Sequence, residues 1–264
     1  MWARLKHYGS VYSSFVSTSF SEAMSFRTHF LLLMFMDIVF YTSHLWSVDI
    51  VYDNVELIGP WRREQLLFFA SVMLAINQLT MSLVSENYWR FPLAIRTGEF
   101  DFTLVKPINS VFLTFFRVVR PGSIANLIYT GPAVVYFGLQ VGLEPLDWAL
   151  LPPLIFAGFL LQNSIEMMIS CGMFWMIDGS GVNFIRIELQ QLARWPDFVY
   201  PRYLRGLLMW VLPILLTGSA PVRFIFDRAD RTPLIVMLFA IPLFWALTAY
   251  FWQRGLKAYE SASS

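Results

Sequence analysis

Charge is scarce in this sequence. Asp, Glu, Lys and Arg make up 14% of its 264 residues, against roughly 25% in soluble globular proteins. The net charge is +1, so no basic field argues for nucleic acid as a partner. A single cysteine, Cys171, rules out an intramolecular disulfide. It lies in an apolar run and reads as a buried, inert thiol. There are three histidines, His7, His29 and His44. The last two lie about 22 Å apart on one helix, too far to share a metal there. The sequence contains no H-E-x-x-H and no Cys/His cluster, so no zinc site is expected. It has no G-x-S-x-G elbow. It has no G-x-x-x-x-G-K-[ST] loop, so ATP is not expected to bind here by that device. The first residues lead into a serine-rich stretch, not a short apolar core, so no secretory signal peptide is expected.

What fills the space is apolar. Hydrophobic residues make up 57%, Phe occurs 25 times, and the mean hydropathy is +0.56. One soluble core of this size cannot hide that much apolar surface, and lipid is the solvent that tolerates it. A membrane-spanning helix needs roughly 20 mostly apolar residues. Six runs qualify, at 29–46, 66–85, 122–139, 148–177, 203–219 and 233–252. Arg117 and Arg120 exclude 108–120 from the third, and Pro121-Gly122 marks a place for a kink. Asp-Gly-Ser-Gly closes the fourth, and Pro213 interrupts the fifth. The runs lack the alternation of a barrel, so the fold class is an all-α integral membrane protein, organised as one domain.

Basic residues set the orientation. With these spans, fourteen Lys and Arg fall on one side and five on the other. Both termini are therefore expected in the cytoplasm. The last outer loop fits poorly, with Arg223, Arg228 and Arg231, and is expected to fold back onto the protein. Residues 1–28 form an amphipathic segment. Trp2, Leu5, Tyr8, Tyr12, Phe15, Val16, Phe20 and Ala23 recur at helical spacing opposite Arg4, Lys6 and serines. It reads as a helix in the cytoplasmic interface, the alternative being a helix packed on protein. A second amphipathic helix covers Asn183–Trp195, and Pro196 ends it. It is expected on the cytoplasmic side.

Polar residues inside spans are costly and face protein or water. Asp37 lies mid-way along the first span, with Tyr41 and His44 on the same face. Asn77 and Gln78 lie in the second, and Glu166 lies in the fourth beside Gln162 and Asn163. They line a translocation path, or they bind helices together. The loop at 86–107 is the sharpest local feature. Arg96, Glu99, Asp101 and Lys106 alternate there with Phe100, Phe102, Leu104 and Val105. Gly98 permits a turn and Pro107 ends the segment. Apolar anchors inside a polar rim suit docking in a partner's groove.

Arg-Thr-Gly-Glu-Phe-Asp-Phe-Thr-Leu-Val-Lys-Pro, from Arg96, resembles a segment of ABC type-2 permeases, in the branch of bacterial export permeases of uncharacterised substrate. Trp-Pro-Asp-Phe-Val-Tyr-Pro-Arg-Tyr-Leu-Arg-Gly, from Trp195, is similar to that branch's approach to the fifth span, and Val-Leu-Pro at 211–213 and Ala-Pro at 220–221 also fit. The resemblance implies a permease of the bacterial cytoplasmic membrane, paired with a second permease subunit, identical or related. It implies a separate cytoplasmic ATPase dimer holding ATP and Mg, with no cofactor in this chain. The coupling element then maps onto Arg96, Gly98, Glu99, Phe100, Asp101, Leu104, Lys106 and Pro107, and the second cytoplasmic contact onto Arg186, Glu188 and Arg194. Two other classes stay open on the residues alone. One is a membrane enzyme acting on lipid or isoprenoid through Asp37, Glu166 and cytoplasmic acids. The other is a non-transporting anchor for an ATPase.

Overall fold

The computed structural model describes residues 2–53, 55–176 and 179–259. Ile177, the last residue of the predicted fourth span, and Asp178 of its stop signal lie outside those residues, as do the side chains of Trp2, Arg4 and Leu5. Helices make up most of the described residues, in the order α1 Trp2–Ser25, α2 Arg27–Val51, α3 Arg63–Leu83, α4 Ser85–Thr97, α5 Glu99–Leu104, α6 Ser110–Phe115, α7 Pro121–Ala125, α8 Leu127–Gln140, α9 Pro145–Ser170, α10 Ser180–Ala193, α11 Arg202–Gly206, α12 Leu216–Phe226 and α13 Thr232–Ala258. Four stretches are long and apolar enough to cross a membrane: Arg27–Val51, Arg63–Leu83, Pro145–Trp175 and Thr232–Ala258. α9 is extended to Trp175 by a 3-10 turn.

No charge interrupts the sequence from Gln65 to Ser85. A helix apolar all round belongs in the middle of a bundle, and α3 is buried from Leu66 to Ile76 without a break. α8, α9, α12 and α2 surround it. Small residues allow the closest approaches, as membrane helices require. A Cβ on Gly158 of α9 would lie 2.5 Å from the carbonyl oxygen of Thr217 at the start of α12. α2 is the opposite case, with Leu31, Leu32, Phe35, Met36 and Trp46 all exposed.

Aromatic clusters mark the two ends. At one, Phe91 packs against Phe100, Phe115, Phe174 and Trp252, with ring centroids 5.4–5.6 Å away. At the other, Trp61 meets Phe69, Phe198 and Phe226 at 4.9–5.5 Å.

Three expectations need correction. The third run is two helices, α7 and α8, joined at Asn126. Pro121 starts α7 instead of kinking it, its missing N–H costing nothing at a first helical position. The fifth run is not one straight helix. The helical stretches Arg202–Val211 and Leu216–Phe226 meet at 96°. Pro213 explains the break: it has no N–H to donate, and it moves Leu212 to φ −123°, ψ 80°, out of helical geometry.

The third correction concerns α10, which does not lie on an end surface. Its number rises as that of α9 falls: Val182 touches Gly172, and Arg186 and Gln190 reach Glu166. Phe198, just beyond it, reaches Gly59 and Trp61 at the far end. α10 therefore runs antiparallel to α9 from one end of the bundle toward the other. Its polar face, with Asn183 and Arg186, is buried, while Phe184 and Ile185 point outward. That is the reverse of a helix lying on water.

Candidate functional site

Burying a charge demands pairing and full hydrogen bonding. Arg186 and Glu166, 2% and 1% exposed, are paired at 3.4 Å. Glu166 also accepts from Gln190 at 2.7 Å and Gln162 at 3.0 Å. Arg186 donates to Asn183 and lies 4.0 Å above the Tyr88 ring. The network joins α4, α9 and α10. Arg186 is therefore not available to a cytoplasmic partner, which corrects the expected second contact. Glu166 is enclosed by its donors.

About two turns beyond Arg186, at the end of α10, Arg194 stands 5.1 Å over the Phe40 ring of α2. His44, Asn77, Gln162 and Gln190 share a gap of about 10 Å³ with it. Asp37 accepts from Asn126 at 2.9 Å, at the joint of α7 and α8. Tyr41 is buried, and Gln78 donates to the Ser123 carbonyl. The predicted polar positions thus divide in two. Glu166, Tyr41 and Gln78 are internal, while Asp37 opens onto a cleft of about 200 Å³ with Glu22, His29 and Arg120. Glu188 belongs with neither group: it is exposed on α10, on the stripe with Phe184 and Gln191.

The predicted docking loop folds as α4, a left-handed Gly98 at φ 74°, and α5. Only glycine adopts that φ freely, and it turns α5 back on α4. Phe100 is 1% exposed, in contact with Phe91, Phe174, Trp252 and Tyr259. It anchors the turn internally and cannot touch a partner, a correction to its expected role. The exposed surface is Phe102, Leu104 and Val105, ringed by Arg96, Glu99, Lys106 and Pro107. Glu99 pairs with Arg117 at 3.6 Å. Asp101 faces Tyr259, whose phenol is raised by burial and further by this carboxylate.

At the other end, Asp197 is wholly buried between Arg205 and Arg223, the latter at 3.0 Å. Its backbone N–H donates to Ser219. Arg223 also binds Asp230, and Arg228 binds Asp147. The last loop does fold back on the protein, as its poor fit to the charge rule suggested. Sequence reading missed Asp197 as the hub. The available signal was an acid between Pro196 and Phe198, followed by four arginines before Asp230.

Apolar helices around internal polar networks, with a charged and apolar knob at one end, define a membrane domain of the permease class. Among the described residues, no group of three or more His, Cys, Asp or Glu is placed to hold a metal. The chain belongs to the ABC-2 transporter family: a family described as ABC-2 family transporter protein matches residues 30–263. No curated protein and no solved structure matches it significantly.

Proposed function

We propose that this chain is the membrane-spanning subunit of an ATP-driven exporter of a bacterial cytoplasmic membrane. It pairs with a second permease subunit and is driven by a separate ATPase dimer that binds ATP and Mg. The observation that carries this reading is the α5 knob: Phe102 and Val105 stand 70% and 80% exposed on an element pinned from beneath by buried Phe100. Such a knob is rigid enough to pass a push from a partner into α4, and so into α3 and the Phe91 cluster. Coupling then requires ATPase contacts that differ between its open and closed states.

In this reading the chain crosses the bilayer six times, through α2, α3, α7–α8, α9, α10 and α13. α1 lies at the cytoplasmic interface among lipids, its Tyr8, Tyr12 and Phe15 resting on Phe112. The pair α11–α12 enters and leaves by the outer face. The Phe91 cluster, the α5 knob and both termini are cytoplasmic. Arg202 and Arg205 then move to the outer end, leaving seven basic residues outside and ten inside, with Arg186 and Arg194 within the bundle. The weaker bias is offset by pairing, because Arg63, Arg205, Arg223 and Arg228 are all held by acids. The gap at Arg194 is only about 10 Å³, which favours a path along the outer faces of α2 and α10, between two subunits. Glu188 and Gln191 on α10 suit that face, since lipid would not solvate them. Export follows the resemblance of the Arg96 and Trp195 segments.

Affinity purification from native membranes tests the proposal. The intact protein should bring down an ATPase with nucleotide-dependent stability, and Phe102→Glu with Val105→Glu should lose it. Retention of the ATPase by that double variant would overturn the assignment of the knob.

A further inference from the structure

Four of the seven arginines at the outer end are paired with acids, and Arg202 is among the three that are not. It is exposed and, among the described residues, has no acidic partner. It borders a cleft of about 410 Å³ between α11, the end of α12 and the start of α13. Arg205 and Arg223 share the rim with it, and Met209, Trp210 and Pro233 form an apolar wall.

The charges do not cancel. Three guanidiniums face two carboxylates, those of Asp197 and Asp230. Arg223 commits one terminal nitrogen to each acid, and Arg205 commits one to Asp197. The donors left over are those of Arg202 and the rest of Arg205, three residues apart and so on one side of the helix. Two guanidinium forks aimed from one side match the paired free oxygens of a phosphodiester. The surplus is one positive charge, which equals the charge of that group. Trp210 is 62% exposed, with Leu207 and Val211 also open, so an acyl chain can lie along the same helix. Trp favours the boundary between headgroup and tail.

We infer that this cleft binds an amphiphile carrying a phosphodiester, headgroup on Arg202 and Arg205 and tail on Trp210. The inference rests on the reading of α11–α12 as a pair opening to the outer face. It adds a ligand site remote from both the ATPase knob and the α10 face.

Full-length protein in detergent is titrated with dioctanoyl phosphatidylglycerol, inorganic phosphate and decanoate, with binding read by native mass spectrometry. Phosphatidylglycerol should bind saturably. Arg202→Gln, which breaks no ion pair among the described residues, should weaken it about tenfold, and Trp210→Ala should also weaken it. Equal binding by Arg202→Gln and the unmutated protein overturns the site. Inorganic phosphate binding as tightly as the lipid overturns the amphiphile, and decanoate doing so overturns the phosphodiester. Arg231→Cys, labelled in intact cells with an impermeant maleimide, tests the sidedness alone. Labelling only after permeabilisation overturns the outer-face reading without changing the binding result.

Discussion

Arg186 of α10 and Glu166 of α9 form an ion pair in which neither side chain reaches solvent. The pair sits where α10, if it lay on a surface, would have turned its charges toward water. It therefore fixes both the place of α10 and its rotation. Removing one partner strands the other charge in a medium that cannot solvate it. Removing both strands nothing.

From this it follows that Arg186→Met should be strongly destabilising, by about 3–5 kcal/mol. Glu166→Gln should cost comparably, because it leaves the buried Arg186 charge without the carboxylate that balances it. Arg186→Met combined with Glu166→Gln should recover much of the loss. Thermal unfolding midpoints in a single detergent measure all three. Additive losses in the double variant would contradict the pairing.

The approach of α9 to α12 makes a separate prediction. Gly158→Ala places a methyl against the Thr217 carbonyl and 2.8 Å from Ile76. Neither neighbour is the loose end of an exposed chain, so overpacking should cost about 1–3 kcal/mol. Gly131→Ala in α8 is the control, since nothing lies within 4 Å of its new methyl. It should be neutral or gain up to about 1 kcal/mol from helix propensity. A fluorescence melting curve that ranks the two variants the other way would remove Gly158 from the α9–α12 contact.

The long apolar spans were legible because length and composition alone mark them: α2, α3, α9 and α13 each fall within a few residues of the predicted run. The turn at Gly98 was legible for a local reason, a glycine among charged and aromatic residues, but the helices α4 and α5 on either side of it were not. α10 was not. Its amphipathic pattern is the same whether the polar face meets water or a buried acid, and only Glu166, twenty residues earlier, decides between them. The break at Pro213 was visible, but its consequence was not. A proline reveals that a helix stops, while the 96° bend is set by where α12 finds its contacts with Gly158 and Met73. Asp197 was not singled out, because its arginine partners lie 8 and 26 positions away.

Glu188 should report whether the outer face of α10 meets water. A thiol reacts as the thiolate, which lipid suppresses. Glu188→Cys should react with a hydrophilic maleimide at least about tenfold faster than Ile235→Cys, an exposed position on α13. Native Cys171 is buried and gives a low background. Equal rates at the two positions would place the α10 stripe in lipid, and the path would have to be sought elsewhere.

The acids of α5 separate coupling from folding. Glu99 and Arg117 are both largely exposed, and such pairs contribute roughly 0–1 kcal/mol. Glu99→Arg should therefore leave the melting temperature within a few degrees, while adding Asp101→Arg, which also gives up the contact with Tyr259, should cost more. The double change turns two negative charges on the rim of the knob into positive ones. A docking partner chosen by complementary charge should lose affinity by at least about tenfold. The ratio of ATPase to permease after affinity purification reads the loss, and a matched Lys106→Glu variant shows whether the sign of the charge matters. Unchanged stoichiometry in the double variant, with its stability preserved, would mean that the ATPase docks elsewhere.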